Sequence, residues 1–172
     1  GFERVEGYSN FLWVLVLAAC DAIGLAPETA AVPMSFLATA LLWLVVVAFA
    51  ARRRSGRATD WSLLVPAFAL AVTRSFAVWS TSGLETRVFE LLLVAGLLRM
   101  VTEVEAMVRR EARLPLASWL LALAALTRPE GLLLSGWVFV VAGAWLAQRS
   151  RPLLGPFARR MLPFVILVAA HF

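Results

Sequence analysis

From Phe11 onward the chain alternates long apolar runs with short polar gaps. Ala30–Ala51, Trp61–Thr81 and Thr86–Val108 each hold enough apolar residues for a helix that crosses a hydrocarbon core of about 30 Å. Phe11–Leu25 is a shorter run of 15 residues and contains Asp21 and Gly24, which suits an interfacial or re-entrant helix better than a span. Two further runs, Leu114–Leu126 and Leu132–Ala147, carry no charge and flank Thr127-Arg128-Pro129-Glu130-Gly131, where Pro and Gly break the helix. The predicted organisation is one domain over 1–172. It has an outer-face loop and interfacial helix at 1–29, spanning helices at 30–51, 61–81 and 86–108, a broken helical hairpin at 114–147, and the start of a further span at 161–172.

Composition turns this pattern into a fold class. Of 172 residues, 62% are hydrophobic, and the mean hydropathy is +0.84. Soluble domains are roughly 45–50% apolar, so the excess calls for lipid as a second solvent. The expected fold is all-α: a polytopic transmembrane helical bundle with an N-terminal interfacial helix. Without an initiating Met, and with a last run of only 12 residues from Met161 to Phe172, the sequence reads as an internal piece of a longer membrane protein.

Charge then orients the bundle. All 16 basic residues are arginine and the net charge is +5. The arginines sit at the ends of apolar runs and form no basic face with interleaved aromatics, so nucleic acid is not the expected partner. The segments after Ala51, Val108 and Ala147 hold 11 of the 16, whereas the gaps at 26–29, 82–85 and 128–131 hold one. By the positive-inside rule the first set faces the cytoplasm and the second faces outward. The run Leu114–Leu126 covers about 20 Å at ~1.5 Å per residue. Starting from the cytoplasmic side it stops short of the outer surface, which places Arg128 and Glu130 within the membrane's depth.

Two readings of that turn stand side by side. It is an ordinary interhelical turn whose Arg–Glu pair neutralises itself, or it is a site in which a recessed Arg128 meets phosphate or carboxylate oxygens. Glu85, at the start of a helix, either favours the helix dipole or helps cap it, or is a carboxylate that hydrogen-bonds sugar hydroxyls or assists a base. Glu90 is a secondary polar contact, and Arg99 is positioned to snorkel toward the cytoplasmic side. Cys20 and His171 are the only residues of their types. Neither forms part of a ligand cluster, so no cofactor is evident and a divalent metal is unsupported.

Three motifs occur in order: Glu3-Arg4-Val5-Glu6-Gly7-Tyr8-Ser9-Asn10-Phe11-Leu12-Trp13, Thr81-Ser82-Gly83-Leu84-Glu85-Thr86, and Leu126-Thr127-Arg128-Pro129-Glu130-Gly131. Together they resemble the integral-membrane glycosyltransferases of the GT-C type, closest to their bacterial arabinofuranosyltransferase-like branch. The resemblance implies a polyprenyl phosphate sugar as donor and a glycan or glycolipid acceptor outside the cytoplasmic (inner) membrane. It implies Arg128 and Arg4 on the donor phosphate, and Glu85, Glu6, Tyr8, Asn10, Ser82 and Glu130 on sugar or acceptor hydroxyls. The acidic catalytic base of that family lies in a loop that would precede Gly1, so the catalytic residue is unknown here and the chain alone is expected to be inactive. The competing expectation is a transporter segment or a non-catalytic membrane assembly subunit, because broken helices and buried charges also suit transporters. A lipid-modifying phosphotransferase is a third.

Overall fold

The computed structural model describes residues 10–53, 68, 72, 78 and 80–171. The helix Phe11–Ala22 (α1) ends where Gly24, at φ +82°, lets the chain reverse. Gly24 N donates to the Asp21 carbonyl and Leu25 N to the Cys20 carbonyl, both at 2.9 Å, so a glycine-terminated cap closes α1. Pro27 then opens Pro27–Arg53 (α2), with Glu28 in its first turn and Arg52 and Arg53 in its last, each on the side the helix dipole favours. The next described helix is Thr86–Val108 (α3), followed by Leu116–Thr127 (α4) and Pro129–Arg149 (α5). A 3-10 turn at Arg151–Leu153 leads into Leu154–Arg160 (α6) and Leu162–His171 (α7). Among the described residues there is no strand.

Among the described residues two helices, α2 and α5, are long and apolar enough to cross a membrane. Only 17% of the apolar window of α2 and 28% of that of α5 is buried, so most of their apolar side chains point away from the protein. Phe36, Leu37 and Leu44 on α2, and Leu133, Trp137 and Val141 on α5, are exposed. Such contiguous apolar surface fits an apolar solvent. The pair α6–α7, bent by 41°, counts as a third candidate if taken as one span. The segment α3 has spanning length but a different character from the uninterrupted apolar helices. It carries Arg87, Glu90, Arg99, Glu103 and Glu105, and the first four pair within the helix as Arg87–Glu90 and Arg99–Glu103. Of the predicted span 61–81, Phe68, Val72, Val78, Ser80 and Thr81 are described; the remainder lies outside the described residues.

Contacts at the helix ends set directions. Ser35 Oγ donates to the Leu84 carbonyl at 3.3 Å, and Arg53 meets Glu105 at 2.6 Å, so α2 and α3 run parallel. Ala117 N donates to Glu103 Oε1, while Gly96 of α3 faces Leu121, so α4 runs back against α3. Ser135 Oγ donates to the Leu121 carbonyl at 3.1 Å, holding α5 antiparallel to α4. The arginine-rich termini of α2, α3 and α5 thus gather at one end of the bundle. Glu85 and Thr127–Gly131 stand at the other.

Helix α4 is the axis of this arrangement. Ala117, Leu121, Ala122 and Ala124 have no exposed surface. Their small side chains, with Gly96 and Gly131 opposite, let neighbouring backbones approach closely. Helix α7 packs along α4, with Phe164 edge-on to Phe139 of α5 at 4.9 Å between ring centroids. At its far end His171 lies 4.5 Å from the Phe11 ring, which ties α7 to the start of α1.

Candidate functional site

Arg128 is the one residue between α4 and α5 that is not helical. The following proline forbids it the helical region, and its backbone is extended, at φ −150° and ψ 143°. Thr127, fully buried, donates its hydroxyl to the Leu123 carbonyl at 2.7 Å and finishes α4. Pro129 occupies the first position of α5, where a missing N–H costs nothing. Gly131 N donates to the Arg128 carbonyl at 2.9 Å. Gly131 also lies so close to α4 that a Cβ on it would stand 2.5 Å from the Ala124 carbonyl oxygen. Thr127, Arg128, Pro129 and Gly131 therefore each have a mechanical part in a one-residue reversal that projects Arg128.

The Arg128 side chain lies over the Phe89 ring, 5.7 Å from guanidinium carbon to ring centroid. It donates from Nη2 to Glu130 Oε1 at 3.1 Å. Its charge also acts on Glu90, which pairs with Arg87. Four charged groups, Arg87, Glu90, Arg128 and Glu130, thus form one cluster around the top of α3 and the α4–α5 turn. Phe89 lies about one helical turn on from Glu85, so Arg128 meets α3 within its first turn. The ion pair required by the simple-turn reading is present, but it is a surface pair with side chains 32% and 59% exposed. Such pairs contribute about 0–1 kcal/mol. Among the described residues Glu130 is the hydrogen-bond partner of the Arg128 side chain, and the contact with the aromatic shelf of the Phe89 ring uses none of the guanidinium donors.

The other predicted residues fall in different places. Glu85 occupies the N-cap position of α3 but makes no side-chain capping bond; its carbonyl accepts Phe89 N at 2.9 Å. The capping alternative is therefore not realised, and Glu85 is half-buried beside the cluster's helix. Ser82 is exposed, and its hydroxyl accepts Leu84 N at 3.4 Å. Between them Gly83, at φ +68°, packs on Ala31 and Val32 of α2. Asn10 precedes α1 without capping it by its side chain and makes no hydrogen bond to the Arg128 cluster. Arg4, Glu6 and Tyr8 lie outside the described residues.

Two residues that the sequence reading passed over are central to the polar structure. Arg87 is only 2% exposed and pairs with Glu90 one turn on. Glu103, 3% exposed, accepts Arg99 Nε and Ala117 N through the same oxygen, each at 3.0 Å, with Arg160 Nη1 3.7 Å from its other oxygen. Arg99 also donates to the Leu114 carbonyl at 3.0 Å, so it turns toward the arginine-rich end. Arg–Glu spacings of three and four residues are the signal for both pairs. Among the described residues no group of three or more His, Cys, Asp or Glu side chains could hold a metal ion. The larger cavity lined by described residues opens at the opposite end of α3 from Arg128.

Comparison with protein-family models, curated proteins and solved structures gave no match.

Proposed function

We propose that this chain is part of a membrane glycosyltransferase that transfers a sugar from a polyprenyl phosphate donor to an extracytoplasmic glycan or lipid acceptor. The observation that carries the reading is Arg128: a guanidinium at the break of a hairpin, over the Phe89 ring, whose hydrogen-bond partner among the described residues is Glu130. Its neighbours Glu90 and Glu130 are hydrogen-bond acceptors for hydroxyls, and the ordered motifs resembling the GT-C enzymes add the sugar chemistry. In this reading the helices form a polytopic bundle in the cytoplasmic membrane, with arginine-rich ends inside and the Arg128 turn on the outer side.

The reaction proceeds by attack of an acceptor hydroxyl on the anomeric carbon. The new carbon–oxygen bond forms as the bond to the donor phosphate breaks, and the hydroxyl proton passes to a general base not assigned to a residue of this chain. Charge accumulates on the departing phosphate, and Arg128 stabilises it with charge-assisted hydrogen bonds. Glu85, Glu90 and Glu130, with Glu6 and Arg4 from the first motif, complete the binding surface.

The test is transfer by the intact protein from a panel of radiolabelled polyprenyl phosphate sugars. Arg128→Ala is expected to cut turnover by roughly 100- to 1,000-fold while leaving helix content unchanged. Turnover near that of the unaltered protein would remove Arg128 from the mechanism. Solute transport without sugar transfer would overturn the enzyme reading.

A further inference from the structure

At the arginine-rich end of the bundle, a cleft of about 740 Å³ opens between α2, α3 and the start of α4. That volume lies within the roughly 300–1,000 Å³ of small-molecule sites. Its wall changes character along its depth. Leu44 and Val45 of α2, Leu98 of α3 and Leu120 of α4 line the part nearer the middle of the bundle. Arg52, Arg53, Arg99, Arg109 and Arg113 line the part near the helix ends, against two acids, Glu105 and Glu111.

Three of those arginines are engaged. Arg53 meets Glu105 at 2.6 Å, Arg99 is bound to Glu103, and Arg113 lies 3.8 Å from Glu111. Arg52 and Arg109 are exposed and make no ion pair among the described residues. The loop after α3 adds to the wall through a turn at Arg110, whose φ is 60°. There Glu111 N donates to the Ala106 carbonyl at 2.8 Å, and the reversed chain brings Glu111 and Arg113 onto the cleft.

We infer that this cleft binds an anionic phospholipid, its phosphate between Arg52 and Arg109 and its acyl chains along Leu44, Val45, Leu98 and Leu120. The ligand must be an amphiphile because the cleft itself is one: cationic where the helices end, apolar where they enter the bilayer. Its headgroup must be anionic overall, since a zwitterionic headgroup brings its own cation to a surface already rich in arginine. The inference is independent of the sugar-transfer reading, which concerns the opposite end of α3.

The experiment is native mass spectrometry of the intact protein released from detergent, titrated with short-chain phosphatidylglycerol, phosphatidylcholine or glycerol phosphate. Phosphatidylglycerol is expected to be retained in preference to the other two. The double variant R52Q/R109Q removes charges that are exposed and make no ion pair among the described residues, and is expected to weaken retention by roughly 30-fold. Glu105→Gln frees Arg53 and is expected to tighten retention by roughly fivefold, a gain that misfolding cannot mimic. Equal retention of phosphatidylcholine, or a double variant that binds as well as the unaltered protein, would overturn the inference. Glycerol phosphate binding as tightly as the lipid would overturn the lipid assignment in favour of a soluble phosphate.

Discussion

Glu103 Oε1 accepts the backbone N–H of Ala117 at 3.0 Å, so a carboxylate on α3 completes the first turn of α4. Pro115 precedes α4 and makes no side-chain cap, and no acid stands in the helix's first turn. The negative charge that the helix dipole favours is supplied instead from the neighbouring helix. That one side chain also gathers Arg99 and Arg160, whose backbone carbonyl in turn accepts the Ser118 hydroxyl. The start of α4, the middle of α3 and the α6–α7 junction are therefore joined through Glu103.

Removing that carboxylate leaves a buried N–H and two arginines without their partner. Glu103→Ala is expected to destabilise the bundle by about 3–5 kcal/mol, the usual cost of breaking a buried ion pair from one side. Glu103→Gln keeps an acceptor for Ala117 but loses the charge, and is expected to fall between the two. Unfolding of the purified protein in mixed detergent and dodecyl sulfate measures both. Equal stability of all three proteins would mean that the network is dispensable.

The glycines give a comparison within a single helix. At Gly131 an added Cβ would stand 2.5 Å from the Ala124 carbonyl oxygen and 2.9 Å from the Ala125 Cα, backbone atoms that cannot swing away. Gly136, five residues on, has nothing within 4 Å of its added Cβ. Gly131→Ala is expected to cost about 1–3 kcal/mol by prising α5 off α4. Gly136→Ala is expected to stabilise the helix by about 0.5–1 kcal/mol, because alanine restricts the unfolded chain more than glycine does. Thermal unfolding of the two variants side by side decides the point; a shift of the same sign in both would contradict the packing described.

Arg110 holds a left-handed backbone, φ 60°, that a β-carbon disfavours. The turn is the reversal that closes α3, with Arg110 N donating to the Met107 carbonyl at 3.1 Å and Glu111 N to that of Ala106. Arg110→Gly is expected to preserve these bonds and relieve strain, leaving stability unchanged or raising it by about 1 kcal/mol. A clear loss of stability would show that the arginine side chain holds something the backbone does not.

Much of this architecture is written locally. The break at Arg128 follows from a proline that excludes helix at the residue before it and a glycine that permits close approach, so Thr127–Gly131 is legible as a turn from five letters. Runs of apolar residues mark α2 and α5 for the same reason. What is not local is harder to read. Glu103 and Glu105 are near-identical in sequence context, yet one is buried under Ala117 and the other faces Arg53 at the surface. Two residues apart on α3 they lie on opposite faces, and tertiary packing decides which face meets α4 and which meets α2. The stacking of Arg128 on Phe89 is likewise invisible in the sequence, since 39 positions separate residues that the α3–α4 packing brings together.

The two readings of the Thr127–Gly131 turn make different demands on Arg128, and four substitutions separate them. If Arg128 only neutralises Glu130, Arg128→Ala and Glu130→Gln should have similar small effects on stability, about 0–1 kcal/mol, and none on transfer. If Arg128 stabilises a departing phosphate, Glu130→Gln keeps an acceptor for a hydroxyl and costs transfer at most roughly tenfold, whereas Arg128→Ala costs roughly 100- to 1,000-fold. Phe89→Leu then tests the shelf. It keeps the apolar contact but loses the ring face, worth about 0.5–1 kcal/mol at an exposed site, so kcat/KM for the donor is expected to fall roughly two- to fivefold. Arg128→Lys retains the charge without the planar fork, and is expected to recover part of the loss seen with alanine. Steady-state transfer kinetics on the four variants of the intact protein read these outcomes directly. Unchanged transfer in both Glu130→Gln and Arg128→Ala would return the turn to a purely structural role.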